Sequence, residues 1–594
     1  MVNAIRPRRS GILTGLFSVF SGRSIGTGDF SDLETLIDWC AATGNSVLHL
    51  LPLNEMGRSF SPYEPFSGFA LEPMYMSLDA FSGPAWLSQR LDELRTAFPA
   101  GQPHFDPAFK EKKFNLLWDI YVHESEQGIL DRKALADFHE HNISWLDDFA
   151  LFKVLGDFHG KRPWYKWQEE YRDRDSGAIE KFRKEHEYEL FFDYWVQMHL
   201  FRQLQSCARR AAQKGVELKG DLALLIPRDS ADVWSRQGQF RLGMDAGTAP
   251  DARNPAGIRH DAPVWDWGKM AEDGYSYLRQ RLSYLGRTYG LLRIVNAREL
   301  AGSWAVPVSE PPECAAAHGF FLPEDQKERE RQADKLLAVI RENSACVFSV
   351  PGTEAQELES ALKNAGIALE HLHRQQKTDG IFVKPDDYDE ATVSGLSDQD
   401  TCDWGTWWEA EADTVDKDLF SRTCADTGLD ERRVRQLLCR GRSADSRLRW
   451  KGDVPVERIE KATGRKNEEL GPLLDLYLSG RGEKELVWRS LANGSCPQEA
   501  APSLVKEAIG MTLYSRSRYA MNTLFDWIRA LGLAGEKKSF RMNEPGTKKA
   551  RNWSCVLPVP LEALMEPGVT RLASRMITAA RREHAPQRKI AERI

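Results

Sequence analysis

Short apolar runs alternate with longer amphipathic stretches along most of this chain. Apolar and β-branched runs that end in a polar turn are typical of buried strands. The pattern predicts strands near 11–19, 46–52, 215–221, 290–295, 345–350 and 390–394. Charged segments with apolar residues at helical spacing, at 324–343 and 355–366, predict helices that cover a sheet. This alternation indicates an α/β fold built from βα units.

Two of the predicted strands carry charged side chains at or near their ends. The strand at 215–221 ends in Asp221, and the strand at 290–295 carries Arg293. In parallel barrels and doubly wound sheets, the carboxyl ends of the strands meet at the edge where the chemistry lies. We therefore expect Asp221 and Arg293 to share one cleft.

Two long segments between the predicted strands are mainly helical. Residues 84–212 are predicted as a helical insertion, and residues 404–512 as a more charged helical subdomain or cap. Barrels often run long as single units, so we interpret 1–594 as one barrel unit that contains both segments.

Several motifs follow one another in a fixed order along the chain. They are SIGTGDFSDLETL at 24–36, SPY at 61–63, GDLALLIPRDSADVW at 220–234, DGYSYLRQRL at 273–282 and MNEPGTKKARNW at 542–553. With these motifs the chain resembles the amylomaltase family, glycoside hydrolase family 77, whose members are 4-α-glucanotransferases. The resemblance implies a (β/α)8 TIM barrel, an α-1,4-glucan or maltooligosaccharide as substrate, and no cofactor.

The positions that match the family's catalytic carboxylates differ from the family pattern. The nucleophile motif RIDHFRG matches RIVNARE at 293–299, which places Val295 where the family has Asp. The acid/base motif matches 348–352, which places Ser349 where the family has Glu. The third carboxylate matches Asp398, although the preceding His is replaced by Ser397.

A loop that lines the donor subsites in the family is also altered. It matches at Ala249, Pro250 and Asp251, whereas Arg253, Ile258 and His260 stand at its aromatic, glutamine and tryptophan positions.

Retaining glucosyl transfer needs two carboxyl groups about 5 to 5.5 Å apart, one as nucleophile and one as acid/base. Neither Val295 nor Ser349 can perform these roles. We therefore predict that the protein is catalytically impaired or inactive. The alternative is an active transferase with displaced carboxylates, for which Glu299 and Asp398 are the candidates.

The resemblance also implies that Tyr63, Asp221 and Arg293 contact the sugar. Other roles are open for each residue. Tyr63 could simply pack, Asp221 could cap a turn or pair with an arginine, and Arg293 could be an ion-pair partner of the lost carboxylate. Asp398 could be a surface residue or a cap.

Composition excludes several other classes of protein. The chain has 594 residues, 42% of them hydrophobic, and a formal net charge of -7. This charge argues against a nucleic-acid or membrane-surface partner. The nine cysteines are scattered, with no CxxC pair or Cys/His cluster that would suggest a metal site, so we expect reduced thiols and a cytoplasmic location.

Three functional hypotheses remain open from the sequence. The first is a glucan-binding or regulatory protein of glycogen metabolism without catalysis. The second is the active 4-α-glucanotransferase with displaced carboxylates. The third is a barrel that has been repurposed for a protein partner. The oligomeric state cannot be inferred from the sequence.

Overall fold

The structure is a computed structural model. It describes residues 7–81, 84–250, 257–311, 315–355, 358–378, 381–439, 447–451, 454–466, 470–491, 494–536, 539–547 and 549–582.

Eight parallel strands close into a barrel in the order β1-β16-β13-β10-β9-β6-β3-β2. In chain order the strands are β1 Arg9–Thr14, β2 Val47–Leu50, β3 Glu217–Ala223, β4 Phe240–Thr248, β5 Ile258–Trp265, β6 Leu291–Val295, β7 Ser303–Pro307, β8 Phe320–Leu322, β9 Val347–Pro351, β10 Ala368–Leu372, β11 Lys377–Thr378, β12 Ile381–Phe382, β13 Thr392–Gly395, β14 Thr414–Asp416, β15 Arg447–Arg449 and β16 Tyr519–Thr523. The predicted (β/α)8 barrel is thereby confirmed.

The α-helices surround these strands. They are α1 Phe30–Thr43, α2 Ala85–Ala97, α3 Ala108–Glu126, α4 Arg132–Phe158, α5 Glu169–Arg172, α6 Ser176–Glu185, α7 Glu187–Gln213, α8 Ala231–Ser235, α9 Trp267–Glu272, α10 Ser276–Gly286, α11 Gln326–Glu342, α12 Glu359–Asn364, α13 Trp404–Thr406, α14 Lys417–Asp426, α15 Glu431–Val434, α16 Val456–Thr463, α17 Gly471–Gly480, α18 Glu483–Leu491, α19 Pro502–Tyr514, α20 Leu524–Ala530, α21 Leu561–Met565 and α22 Pro567–Ala579. In the described residues, no helix is long and apolar enough to cross a membrane.

Helix α1 shows how local sequence sets these boundaries. It begins with a capping box, in which the Asp29 carboxylate accepts from backbone amides of the first turn and the Asp32 carboxylate accepts from the Asp29 amide. It ends at Gly44, whose φ of 87° lies in the left-handed region that favours glycine. The apolar face between these caps is buried.

All six strands expected from the apolar pattern are present, with boundaries shifted by a few residues. Two barrel strands were missed, β10 and β16. Strand β10 reads Ala-Leu-Glu-His-Leu, and β16 reads Tyr-Ala-Met-Asn-Thr. Charged or polar residues interrupt both runs, so neither looks apolar in sequence although each lies within the barrel wall.

Strand register places the important side chains at matching heights in the barrel wall. Asp221 on β3 lies opposite Arg293 on β6, and Arg293 lies opposite Ser349 on β9. Ser349 in turn lies opposite Ala368 on β10, two residues before Glu370. Four consecutive strands thus carry Asp221, Arg293, Ser349 and Glu370.

The chain divides into two compact units. The first comprises Met1–Glu370 and Met542–Ile594, and the second comprises His371–Arg541. The first unit also contains a four-stranded sheet in the order β5-β4-β7-β8. The second contains the small β14-β15 sheet and a separate hydrophobic cluster that includes Phe420, Trp450 and Tyr477.

Candidate functional site

Four side chains form a buried hydrogen-bonded group inside the barrel, here called the Asp221 cluster: His49, Tyr63, Asp221 and Arg293. The Asp221 carboxylate accepts four hydrogen bonds. They come from His49 Nε2 at 2.7 Å, Tyr63 Oη at 2.7 Å, Arg293 Nε at 3.0 Å and Arg293 Nη2 at 2.7 Å. A carboxylate has about four acceptor positions, so Asp221 is saturated without any ligand.

A second ion pair crosses the barrel interior next to this cluster. Lys219 on β3 donates to the Glu370 carboxylate on β10. Ser349 Oγ donates to the same Glu370 oxygen at 2.7 Å, and Arg293 Nη1 lies 3.8 Å from the other oxygen. Since β3 and β10 are not neighbours in the barrel, their side chains can meet only across its interior.

These contacts fix the charge states of both carboxylates. Burial acts to raise the pKa of Glu370, but Lys219 and Arg293 outweigh it and lower the pKa to about 2. Burial also acts to raise the pKa of Asp221, but Arg293 and His49 outweigh it and hold the pKa well below its usual range. Both groups are therefore ionised at neutral pH, and neither can act as a proton donor there.

His49 completes the charge balance of the interior. Burial, together with the nearby Lys219 and Arg293, lowers its pKa to about 4, so the ring is neutral at pH 7. Because a carboxylate only accepts hydrogen bonds, the neutral ring carries its proton on Nε2, facing Asp221. The two carboxylates are then matched by the two cations Lys219 and Arg293, and the interior is close to electrically neutral.

Val295 lies at the end of β6 and is buried. Its carbonyl oxygen accepts from the Leu224 amide at 3.1 Å, which fixes the backbone there. The chain then turns at Asn296, which has a φ of 60°. The residue that the family resemblance predicts at the nucleophile position is thus hydrogen-bonded through its backbone and carries an isopropyl group.

Glu299, the first candidate for a displaced carboxylate, is buried in the short helical turn after β6. Its carboxylate accepts from Ser303 Oγ, and its backbone oxygen accepts from Trp267 Nε1 at 3.2 Å. Burial and, to a smaller extent, the nearby Glu354 raise its pKa to about 7, against the opposing effect of the Ser303 hydrogen bond. The Glu299 carboxyl group thus has a pKa that suits a proton donor, but its side chain is buried and packed.

Asp398, the second candidate, belongs to the second unit and follows β13 by three residues. Its carboxylate oxygen Oδ1 accepts from the Asp400 amide at 3.1 Å, and its own amide donates to Thr401 Oγ1 at 2.9 Å. This is the geometry of a residue that caps a turn. The preceding Ser397 donates to the buried Asp526 at 3.2 Å.

Tyr63 is the half-buried member of the Asp221 cluster. Its hydroxyl accepts from Arg293 Nη2 at 3.0 Å as well as donating to Asp221. Its ring packs against Trp553 with 5.4 Å between centroids. Trp553 itself has a φ of 61°, which is unusual for a bulky residue.

The remaining motif residues are not members of this hydrogen-bonded group. Arg298 is exposed and donates to the Thr353 carbonyl at 2.9 Å. Ile258 and His260 lie on β5, half-buried, and burial lowers the pKa of His260. Asp251 and Arg253 lie outside the described residues.

Sequence reasoning missed three members of the site: His49, Lys219 and Glu370. Lys219 lies two residues before Asp221 on the same predicted strand, so the period of a strand could have placed it on the inner face. Glu370 could not be found in this way because its strand was not predicted. Within the described part of the chain, no group of three or more His, Cys, Asp or Glu side chains is placed to hold a metal ion.

The fold is a parallel eight-stranded barrel, with an Asp–Arg pair on its adjacent strands β3 and β6. The family of 4-alpha-glucanotransferases, glycoside hydrolase family 77, matches residues 14–560. The chain belongs to this family.

Individual relatives agree with this assignment. A 4-alpha-glucanotransferase of Chlamydia pneumoniae is 28% identical over 408 residues, which cover 67% of this chain and 76% of that protein. An amylomaltase from Streptococcus agalactiae, solved in complex with acarbose, superposes with a TM-score of 0.71 at 18% identity, covering 97% of this chain and 100% of the other. An amylomaltase from Corynebacterium glutamicum gives 0.69 at 18% identity, covering 96% and 75%. The two structural likenesses bear on the fold alone.

Proposed function

We propose that this protein binds α-1,4-glucan at the carboxyl end of its barrel without transferring glucosyl units, as a binding or regulatory member of α-glucan metabolism. The observation that supports the proposal is the pair Val295 and Ser349, which stand where retaining transfer needs a nucleophile and an acid/base. The relatives named 4-alpha-glucanotransferase support the glucan as ligand.

The charges around these two positions also favour binding without catalysis. Asp221 is saturated by its four hydrogen bonds, and Glu370 is paired with Lys219. Neither carboxylate is free to approach an anomeric carbon while these partners are in place. Donors that bind substrate and transition state equally well give no acceleration.

Tyr63 is the group best suited to touch the sugar. Its ring is half-buried, and an aromatic face offers a glucose ring an apolar surface. Asp221 and Arg293 would then act by holding the Tyr63 hydroxyl rather than by direct contact.

Two measurements test the proposal. Purified protein should release no glucose from maltotriose and form no longer chains, and calorimetry should detect weak binding of maltoheptaose. Tyr63→Ala should weaken that binding roughly tenfold, which corresponds to about 1.4 kcal/mol. The matched control is Tyr188→Ala, since Tyr188 is 42% exposed on α7 and lies outside the cluster. Disproportionation by the wild type, or binding that Tyr63→Ala leaves unchanged, would contradict the proposal.

A second candidate is an active transferase that uses Glu299, because the raised pKa of that carboxyl would suit a proton donor. The same maltotriose assay tests it. If turnover is found, it should disappear in Glu299→Gln or in Asp398→Asn. Turnover that survives both substitutions would point to a contaminating enzyme.

A further inference from the structure

A groove of about 610 Å³ lies on the first unit, far along the chain from the barrel-end residues discussed above. It runs between the last turn of α1 and the helices α21 and α22. Its apolar floor includes Ala42 and Met565, and the latter side chain is 38% exposed. A volume of this size is typical of small-molecule sites.

One face of α22 supplies the polar wall of the groove. Arg571, Ser574, Arg575 and Thr578 all line it. Their spacing of three, one and three residues puts them on a single helical face. The other side of the helix buries Ala573 and Ile577. The helix is therefore held by its apolar face and turns two guanidinium groups and two hydroxyls towards the groove.

The two arginines carry charge that the described residues do not neutralise. Elsewhere in this unit, arginines such as Arg9 and Arg210 are paired with carboxylates. Within the described ranges, neither Arg571 nor Arg575 has a salt bridge, and no Asp or Glu lines the groove. Like charges four residues apart on a helix repel each other, so an anion placed between them would be stabilising.

Geometry favours an anion with several acceptor oxygens. Residues 571 and 575 lie about 6 Å apart along the helix axis, within the reach of two guanidinium forks around one phosphate. Ser574 lies between them in sequence and can donate a further hydrogen bond.

We propose that this groove binds a small phosphomonoester. The phosphate lies between Arg571 and Arg575, and the organic part covers the apolar floor at Ala42 and Met565.

The residues that follow α22 are a poor alternative occupant. At 583–594 they carry Arg588, Lys589 and Arg593 against Glu583 and Glu592, an excess of positive charge. None of the groove residues belongs to the proposed glucan site, so the two proposals stand or fall separately.

Calorimetric titration of the full-length protein tests the proposal, with inorganic phosphate, glucose 1-phosphate and glucose as probes. Glucose 1-phosphate should bind more tightly than inorganic phosphate, and glucose should not bind in the groove. The double variant Arg571→Gln/Arg575→Gln should weaken glucose 1-phosphate binding at least tenfold. Arg209→Gln, an exposed arginine on α7, is the matched control and should change nothing.

Three outcomes would overturn the proposal. They are no binding of glucose 1-phosphate by the wild type at millimolar concentration, undiminished binding by the double variant, and equal affinity for phosphate and its ester. Both arginines are exposed, so the double variant should unfold at the wild-type temperature and its loss of binding can be interpreted. Saturation with maltoheptaose should leave the titration unchanged, which separates this groove from the glucan site.

Discussion

The outer and inner members of four adjacent barrel strands differ sharply. The outer strands β3 and β10 carry the carboxylates Asp221 and Glu370, each locked to a cation. The inner strands β6 and β9 carry Val295 and Ser349, which we propose stand at the positions of the family's reacting groups. Under this proposal, charged side chains remain where they tie strands together and are absent from the two positions that would react with substrate. The comparison then teaches that a barrel can keep its polar interior for stability without the two catalytic carboxylates.

The largest expected effect comes from breaking the cross-barrel pair. Lys219→Met leaves the Glu370 carboxylate buried beside Ser349 with only the more distant Arg293, so the free energy of unfolding should fall by about 3 to 5 kcal/mol. Denaturant unfolding measures the loss. Adding Glu370→Gln should restore most of it, because the uncompensated charge is removed. Lys181→Met, at an exposed pair with Glu185, is the control and should cost less than about 0.5 kcal/mol. A single variant as stable as the wild type would contradict this account of β3 and β10.

Glu299 should give the next largest effect, seen as a dependence of stability on pH. Its pKa is about 7 in the folded protein, against an ordinary value of 4.5, so the folded state binds the proton more tightly. Its contribution is therefore complete below about pH 4.5 and is lost as the pH rises towards 7. The loss amounts to up to roughly 3 kcal/mol. Glu299→Gln should remove this part of the pH profile of unfolding, whereas the exposed Glu272→Gln should leave it intact. Identical pH profiles of unfolding for wild type and Glu299→Gln would show that Glu299 does not contribute to the pH dependence of stability.

Loss of the Tyr63 hydroxyl should have a smaller effect on stability. Tyr63→Phe removes one hydrogen bond to Asp221 and one from Arg293, but Asp221 keeps three other donors. We expect a loss of about 1 to 2 kcal/mol in the free energy of unfolding. Tyr188→Phe serves as the control. A loss as large as that of Lys219→Met would show that the Asp221 cluster, and not the Lys219–Glu370 pair, dominates the interior.

The sequence predicted the apolar barrel strands but not the strands that carry charged or polar residues. Apolar runs located six barrel strands, and the motif order indicated the barrel. The strand at 368–372 carries Glu370 and His371, so its pattern resembles an exposed segment. Its charge is acceptable inside because Lys219, 151 residues away in sequence, and Arg293 both lie near it. Sequence-local patterns do not report such pairs. The shared location of Asp221 and Arg293 could be predicted because both lie at or near strand ends. The hydrogen bonds that His49 and Tyr63 donate to Asp221 could not.

The smallest expected effect is the gain from restoring the missing carboxyl groups. Val295→Asp/Ser349→Glu should give at most trace disproportionation of maltotriose. Arg293 is already bound to Asp221 and Tyr63, so it is not free to orient a new aspartate. A glutamate at 349 would meet the Glu370 carboxylate, which lies 2.7 Å from the present Ser349 Oγ, and the like charge should raise its pKa.

Intact mass after reaction with an activated α-glucosyl fluoride separates the two steps in this variant. Fluoride leaves without protonation, so a covalent adduct on the aspartate should form even where disproportionation is nearly absent. The single variant Ser349→Glu is the control and should form none. Family-like turnover by the double variant would mean that only two substitutions separate the inner strands from an active site.

The ion pair between Lys219 and Glu370 also bears on the order of steps in folding. It joins residues 151 apart in sequence, and the two strands that separate them in the barrel must be in place before the side chains can meet. Contacts of such long range form late in folding, since the entropy of closing the chain must be overcome first. A spectroscopic probe near this pair would therefore report when the ring of barrel strands closes. Substitutions there should speed unfolding while leaving the early collapse of the chain unchanged.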